Sequence, residues 1–154
     1  MFDSRNNYNR ISSNILCEDK MPVKTEVIAD IGLFLTRAIG KVVDQDAFQL
    51  QESMINSADF SPKLNTLMDA RLVTENLLSP ETLIHLSSST PFESSVKRVY
   101  VVSDEKESMF ATLFGSTSSD NNKFFVTYDI DDACEWLGIS FDDIKTSSVY
   151  KDDE

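Results

Sequence analysis

Asp69 and Arg71 come nearest to a chemically useful pair in this 154-residue chain. They lie two apart in the run Leu64-Asn65-Thr66-Leu67-Met68-Asp69-Ala70-Arg71-Leu72-Val73, and residues two apart in a strand share a face. A strand covered on both sides is apolar almost throughout, so the two charges are expected at its carboxyl end, where clefts open in α/β sheets. Two roles are open to them: an ion pair tying the strand end to a loop, or the polar part of a cleft for a ligand or partner. Ser79 is the next candidate. In Leu78-Ser79-Pro80-Glu81 it caps a helix start, with Pro80 in the first turn where its missing N–H costs nothing. The same position would suit a phosphate, which meets free N–H groups and the positive end of the helix dipole. Met109 and Phe110 complete the set. Their helical spacing with Leu113 and Phe114 assigns them to the core; alternatively the third helix lines an apolar ligand pocket or presents a face to a partner.

Other chemistry finds little support. His85 is the only histidine and has no motif around it, whereas acid–base work needs placed partners. One histidine with no paired cysteines does not make a zinc site. Asp129, Asp131 and Asp132 lack the glycine and the distal glutamate of a calcium loop, and capping of the following helix explains them more simply. The four glycines, Gly32, Gly40, Gly115 and Gly138, form no phosphate-binding loop and no nucleophile elbow. No catalytic residue, cofactor or metal is therefore expected, and the chain reads as no enzyme.

Composition narrows the partners. The formal net charge is −12, from 14 basic and 26 acidic side chains, which disfavours nucleic acid and anionic membranes because both are bound by neutralising phosphates. The acidity is concentrated from Asp129 onward, as a solvated face or a surface for a basic partner. Cys17 and Cys134 form no disulfide framework and suit a reducing compartment. No apolar run reaches the ~20 residues that span a bilayer, and residues 1–20 lack the apolar core of a secretory signal. A cytoplasmic location is expected.

The elements that must position these residues read in the order β-β-α-β-α-β-α-β-α. Residues 25–30 and 33–41 form a hairpin around Gly32. A helix follows over 44–57, capped by Asp44, then the central strand over 64–73. The Ser79 helix turns Leu83, Ile84 and Leu86 to the sheet. Residues 97–103 make a β-branched, aromatic strand, and 105–114 a helix stopped by Gly115. The last strand covers 123–129, and the last helix begins at Asp129 and stops at Gly138. Met68, Val101, Phe125 and Trp136 are expected to be largely buried. Residues 1–23 read as a flexible extension, 24–141 as the domain, and 142–154 as a frayed acidic tail.

This order, with Leu67-Met68-Asp69-Ala70-Arg71, Ser79-Pro80-Glu81, Lys97-Arg98-Val99-Tyr100-Val101-Val102, and Ala133 followed by Trp136-Leu137-Gly138, resembles the SpoIIAA-like, or STAS, family of anti-sigma-factor antagonists and its relatives with a Sec14-like fold. The resemblance spans about residues 24–138. It implies an α/β fold, a SpoIIAA-like β-α superhelix with a mixed, mostly parallel sheet of about five strands and four helices. It also implies a bacterial, non-catalytic regulatory module whose partner is another protein, with a homodimer among the candidates. Phospho-switched members carry Asp-Ser-Ser-Gly or Asp-Ser-Thr-Gly at the start of a helix. This chain has Leu78-Ser79-Pro80-Glu81 instead, so the switch is not expected. The alternative from a different class is a carrier of a small apolar ligand or lipid, as the Sec14-like fold allows. A core that packs solid would favour the first reading and an apolar cavity under the third helix the second.

Overall fold

A computed structural model describes residues 22–118 and 123–153. Strand β1 (Val23–Ile28) and strand β2 (Leu33–Val42) pair antiparallel, with Val23 opposite Ala38 and Ile28 opposite Leu33. The chain reverses through a 3-10 turn at Ala29–Ile31 that Gly32 closes at φ 61°, a left-handed geometry that glycine adopts without a Cβ penalty. Helix α1 (Asp44–Ile55) leads to β3 (Asn65–Asn76), helix α2 (Pro80–Ser88) to β4 (Arg98–Val101), and helix α3 (Glu105–Ser118) to β5 (Phe124–Thr127); helix α4 (Ile130–Leu137) follows.

The sheet order is β1-β2-β3-β4-β5, and every pair after the hairpin is parallel. Each crossover therefore advances one strand in the same direction. Right-handed crossovers of that kind place their helices on one face. Accordingly Phe34 packs with Met54 of α1, and Ala38 with Ala70 and Ala111 of α3. The opposite face carries Leu33, Leu35, Leu67, Val99 and Val101, which pack on Ala133 and Cys134 of α4. With both faces covered, β2 buries six residues in succession from Leu33 to Ala38. The expected α/β superhelix of five strands and four helices is the fold observed, and no described helix is long and apolar enough to cross a membrane.

Residues 142–154, expected as a frayed tail, instead build much of the α4 face as far as they are described. Two 3-10 turns, Phe141–Asp143 and Ser148–Asp153, carry Ile144 and Val149 into the core at 0% and 1% exposure, with Tyr150 beside them. The segment is pinned to the hairpin. Glu26 of β1 accepts hydrogen bonds from the Ser147 hydroxyl at 2.6 Å and the Ser148 N–H at 2.9 Å. Arg37 of β2 donates to the Val149 carbonyl at 3.3 Å. The proposed extension over residues 1–23 lies, up to Met21, outside the described residues, as does Cys17.

Other expectations need adjusting. Helix α3 does not stop at Gly115, which is buried mid-helix where a Cβ would run into the Phe124 ring. Ile84 and Met109 turn outward, the latter 69% exposed. Val101 is fully buried, but Met68, Phe125 and Trp136 are only half-buried. Phe125 lies on the edge strand β5, and Trp136 packs on it under the Lys97 ammonium, 5.3 Å from the ring centroid.

Candidate functional site: an apolar cavity between the sheet and three helices

Small residues at the middle of the three-helix face decide the site. Thr36 and Ala38 on β2 and Thr66 and Ala70 on β3 face the helices. They are too short to meet Leu50 and Met54 of α1, Leu83 and Leu86 of α2, or Phe110 and Phe114 of α3. Larger side chains at those positions would close the layer; these leave a partly open cavity of about 210 Å³ with mainly apolar walls. An engineered cavity of ~150 Å³ holds a benzene ring, so this one has room for a ligand of roughly eight to ten non-hydrogen atoms.

Among the described residues, two charged side chains reach the wall. Glu107, in the first turn of α3, is buried and accepts a hydrogen bond from the Asn76 amide at 3.3 Å. Arg98, the first residue of β4, is 3% exposed. Its Nη2 donates to the Phe92 carbonyl at 3.5 Å, at the outer limit of a hydrogen bond. Its guanidinium carbon stands 5.5 Å from the Phe92 ring, which packs on Phe34 and Phe60. Its Nε is buried with no hydrogen-bond partner, and no carboxylate among the described residues pairs with it. Burial lowers the Arg98 pKa from its ordinary value, with Tyr100 opposing. Two residues on along the same face, Tyr100 has its phenol pushed up to about 12, mainly by burial and against the pull of Arg98.

The residues singled out from sequence divide between the two faces. Phe110 lines the cavity, whereas Met109 faces outward. Ser79 caps α2: its Oγ accepts from the Thr82 N–H at 3.2 Å, and its own N–H donates to the Asp44 carboxylate at 2.8 Å. Ser79→Ala is therefore expected to cost about 1 kcal/mol in urea unfolding. Ser79→Asp would cap as well, but next to Asp44 it creates a like-charge contact. Its destabilisation is expected to shrink as salt is raised from 0.01 M to ~1 M; a variant more stable than wild type at low salt would show that the contact does not form.

Asp69 and Arg71 lie on the other face, under the C-terminal segment. They sit mid-strand in β3 and not at its end, because β3 runs on to Asn76; β4 stops pairing at Asp69. Arg71 grips the carboxylate bidentately, Nε to Oδ1 at 2.9 Å and Nη2 to Oδ2 at 2.7 Å, and donates its backbone N–H to Oδ1 at 3.2 Å. The Tyr150 hydroxyl donates to Oδ2 at 2.8 Å. Burial works to raise the Asp69 pKa, yet the bonds from Arg71 and Tyr150 outweigh it and hold the carboxyl below its ordinary value. With four donors on two oxygens, this carboxylate is engaged as a clamp and has little capacity left to accept a proton from a ligand. Elsewhere, His85 is exposed beside Phe48, Asp129 caps α4 through the Asp131 N–H, and the buried Cys134 thiol is pushed up to about 11 chiefly by burial.

Sequence reading passed over Arg98 as an ordinary member of a strand. The available signal was its period of two with Tyr100 and Val102, which puts a cation on the face of a strand that must pack against helices.

Fold and cavity together define a SpoIIAA-like α/β domain with an apolar pocket on its three-helix face. An uncharacterised protein of the DUF3478 family from Shewanella loihica PV-4, which has a SpoIIAA-like fold, matches 75% of this chain and 91% of its own at 17% identity, with a TM-score of 0.50. At that identity the likeness establishes the shared fold. No protein-family model matches the chain, and neither does any curated protein.

Proposed function

We propose that this protein is a non-catalytic binding module for a small apolar ligand, held between the sheet and helices α1 to α3. The observation that carries this reading is the apolar cavity of about 210 Å³ walled by Leu50, Leu86, Phe110 and Phe114. Its volume falls below the ~300–1,000 Å³ of drug-sized pockets, so the ligand is small. The buried free thiol Cys134 suits the reducing cytoplasm.

Thermal unfolding with 1-octanol tests the proposal. A ligand that binds only the folded state at 100 times its dissociation constant stabilises it by about 2.7 kcal/mol, so the melting temperature should climb with octanol concentration. Ala111→Leu puts a side chain into the cavity from α3. It should leave the domain as stable or more so while removing the octanol response. A wild-type protein that octanol does not stabilise would overturn the reading.

A second reading, a regulatory module that docks on another protein, draws on Ile84 of α2 and Met109 and Leu113 of α3, large apolar side chains exposed on the outer side of the helical layer. Replacing all three with glutamine would abolish partner capture and leave the octanol response intact if that reading holds.

A further inference from the structure

The cavity's only buried cation is orphaned among the described residues. An arginine cannot escape burial by losing its proton, since the delocalised guanidinium stays charged. A desolvated ion without a partner is costly, and the usual remedy is an opposite charge. Arg98 has an aromatic ring and one long hydrogen bond to a carbonyl, but no anion and an unpartnered Nε. Thr66 stands beside it on β3, and the rest of the wall, from Phe34 and Phe92 through Met68 to Leu86, is largely apolar.

We propose that the cavity takes a monocarboxylic acid with an aliphatic chain, the carboxylate against the Arg98 guanidinium and the chain along the apolar wall. This inference rests on the reading of the cavity as a ligand site and specifies the ligand's class. The guanidinium fork matches a carboxylate in two parallel hydrogen bonds. One cation balances one negative charge, and Glu107 on the same wall supplies no counter-charge to a second. A dianionic phosphate monoester is thus the poorer fit. The volume accommodates on the order of ten non-hydrogen atoms, the size of octanoate.

Calorimetric titration of the full chain at pH 8 with octanoate, 1-octanol, methyl octanoate and octyl phosphate separates the possibilities. Octanoate should bind wild type at least tenfold more tightly than octanol or methyl octanoate, and more tightly than octyl phosphate. Arg98→Met replaces the charge by apolar bulk. It should bring octanoate down to the affinity of octanol, leave octanol unchanged or tighter, and raise the melting temperature. Arg98→Lys should retain part of the octanoate preference. Equal binding of octanoate and octanol to wild type overturns the carboxylate assignment while the cavity reading stands. So does an octanoate affinity indifferent to Arg98→Met. Failure of all four probes to bind overturns the cavity reading and this inference with it. Should Arg98→Met not fold, the wild-type comparison of octanoate with its methyl ester decides alone.

Discussion

A chain ended at Ser140 is expected to lose its cooperative unfolding transition. The truncation removes Ile144, Val149 and Tyr150, all buried against Leu33, Leu35 and Leu67. Full burial of an aliphatic side chain stabilises by ~1.5–3 kcal/mol, and loss of a large aromatic from a core costs ~3–5 kcal/mol. Together these reach about 6–11 kcal/mol, within the 5–15 kcal/mol that is the whole stability of a typical domain. The truncation also strips Asp69 of its Tyr150 donor and Glu26 of its Ser147 and Ser148 donors. Far-UV circular dichroism with urea titration is the measurement. A truncated chain that melts sharply within a few degrees of the full one would show the segment to be an accessory.

Asp69→Ala should destabilise by about 3 kcal/mol at neutral pH. Removing one member of a buried ion pair typically costs ~3–5 kcal/mol because its partner is left uncompensated. The lower end applies because the Arg71 side chain is 35% exposed and can turn to water, while the Tyr150 hydroxyl loses its acceptor. The effect depends on pH with a definite sign. The Asp69 pKa is lowered from 3.8, so the folded state binds fewer protons than the unfolded one near that pH. Its contribution is complete above the unfolded value and is lost as pH falls through the folded one. Glu26, lowered from 4.5 chiefly by the Ser147 hydroxyl, behaves alike. The gap between wild type and Asp69→Ala in urea unfolding should therefore be constant from pH 5 to 7 and narrow below 3.8. A gap unchanged at the lowest pH that still permits folding would locate the effect in packing and not in charge.

How much of this was legible in the sequence depended on how local the cause was. Ser79-Pro80 announced α2 because capping involves only the next few residues. The Asp69–Arg71 bond followed from a spacing of two on a strand, though its place in the middle of β3 did not. The C-terminal segment was misread because Ile144 follows one 3-10 turn and Val149 and Tyr150 sit in another, both too short to show a period, within an acidic stretch that resembles solvent-facing chain. The cavity left no local trace. Ala38 and Ala70 are apolar residues like any in a core, and only the distance between the sheet and the helices reveals that they fail to fill it. Arg98 was passed over although its period of two with Tyr100 and Val102 marks it as a charge on the inner face of a strand, and its lack of a counter-ion is a property of the packed molecule.

The attachment of the C-terminal segment to the opening hairpin sets a delay during synthesis. Ser147 and Ser148 follow Glu26 by 121 and 122 residues, and Val149 follows Arg37 by 112. At ~5–20 residues per second, the nascent chain holds Leu33 and Leu35 without that cover for roughly 5–25 seconds after β2 is made. The three-helix face can be laid down strand by strand as the chain emerges, because each crossover reaches only the next strand. The other face must wait, and over that interval it is an apolar surface exposed to whatever else the cell is making.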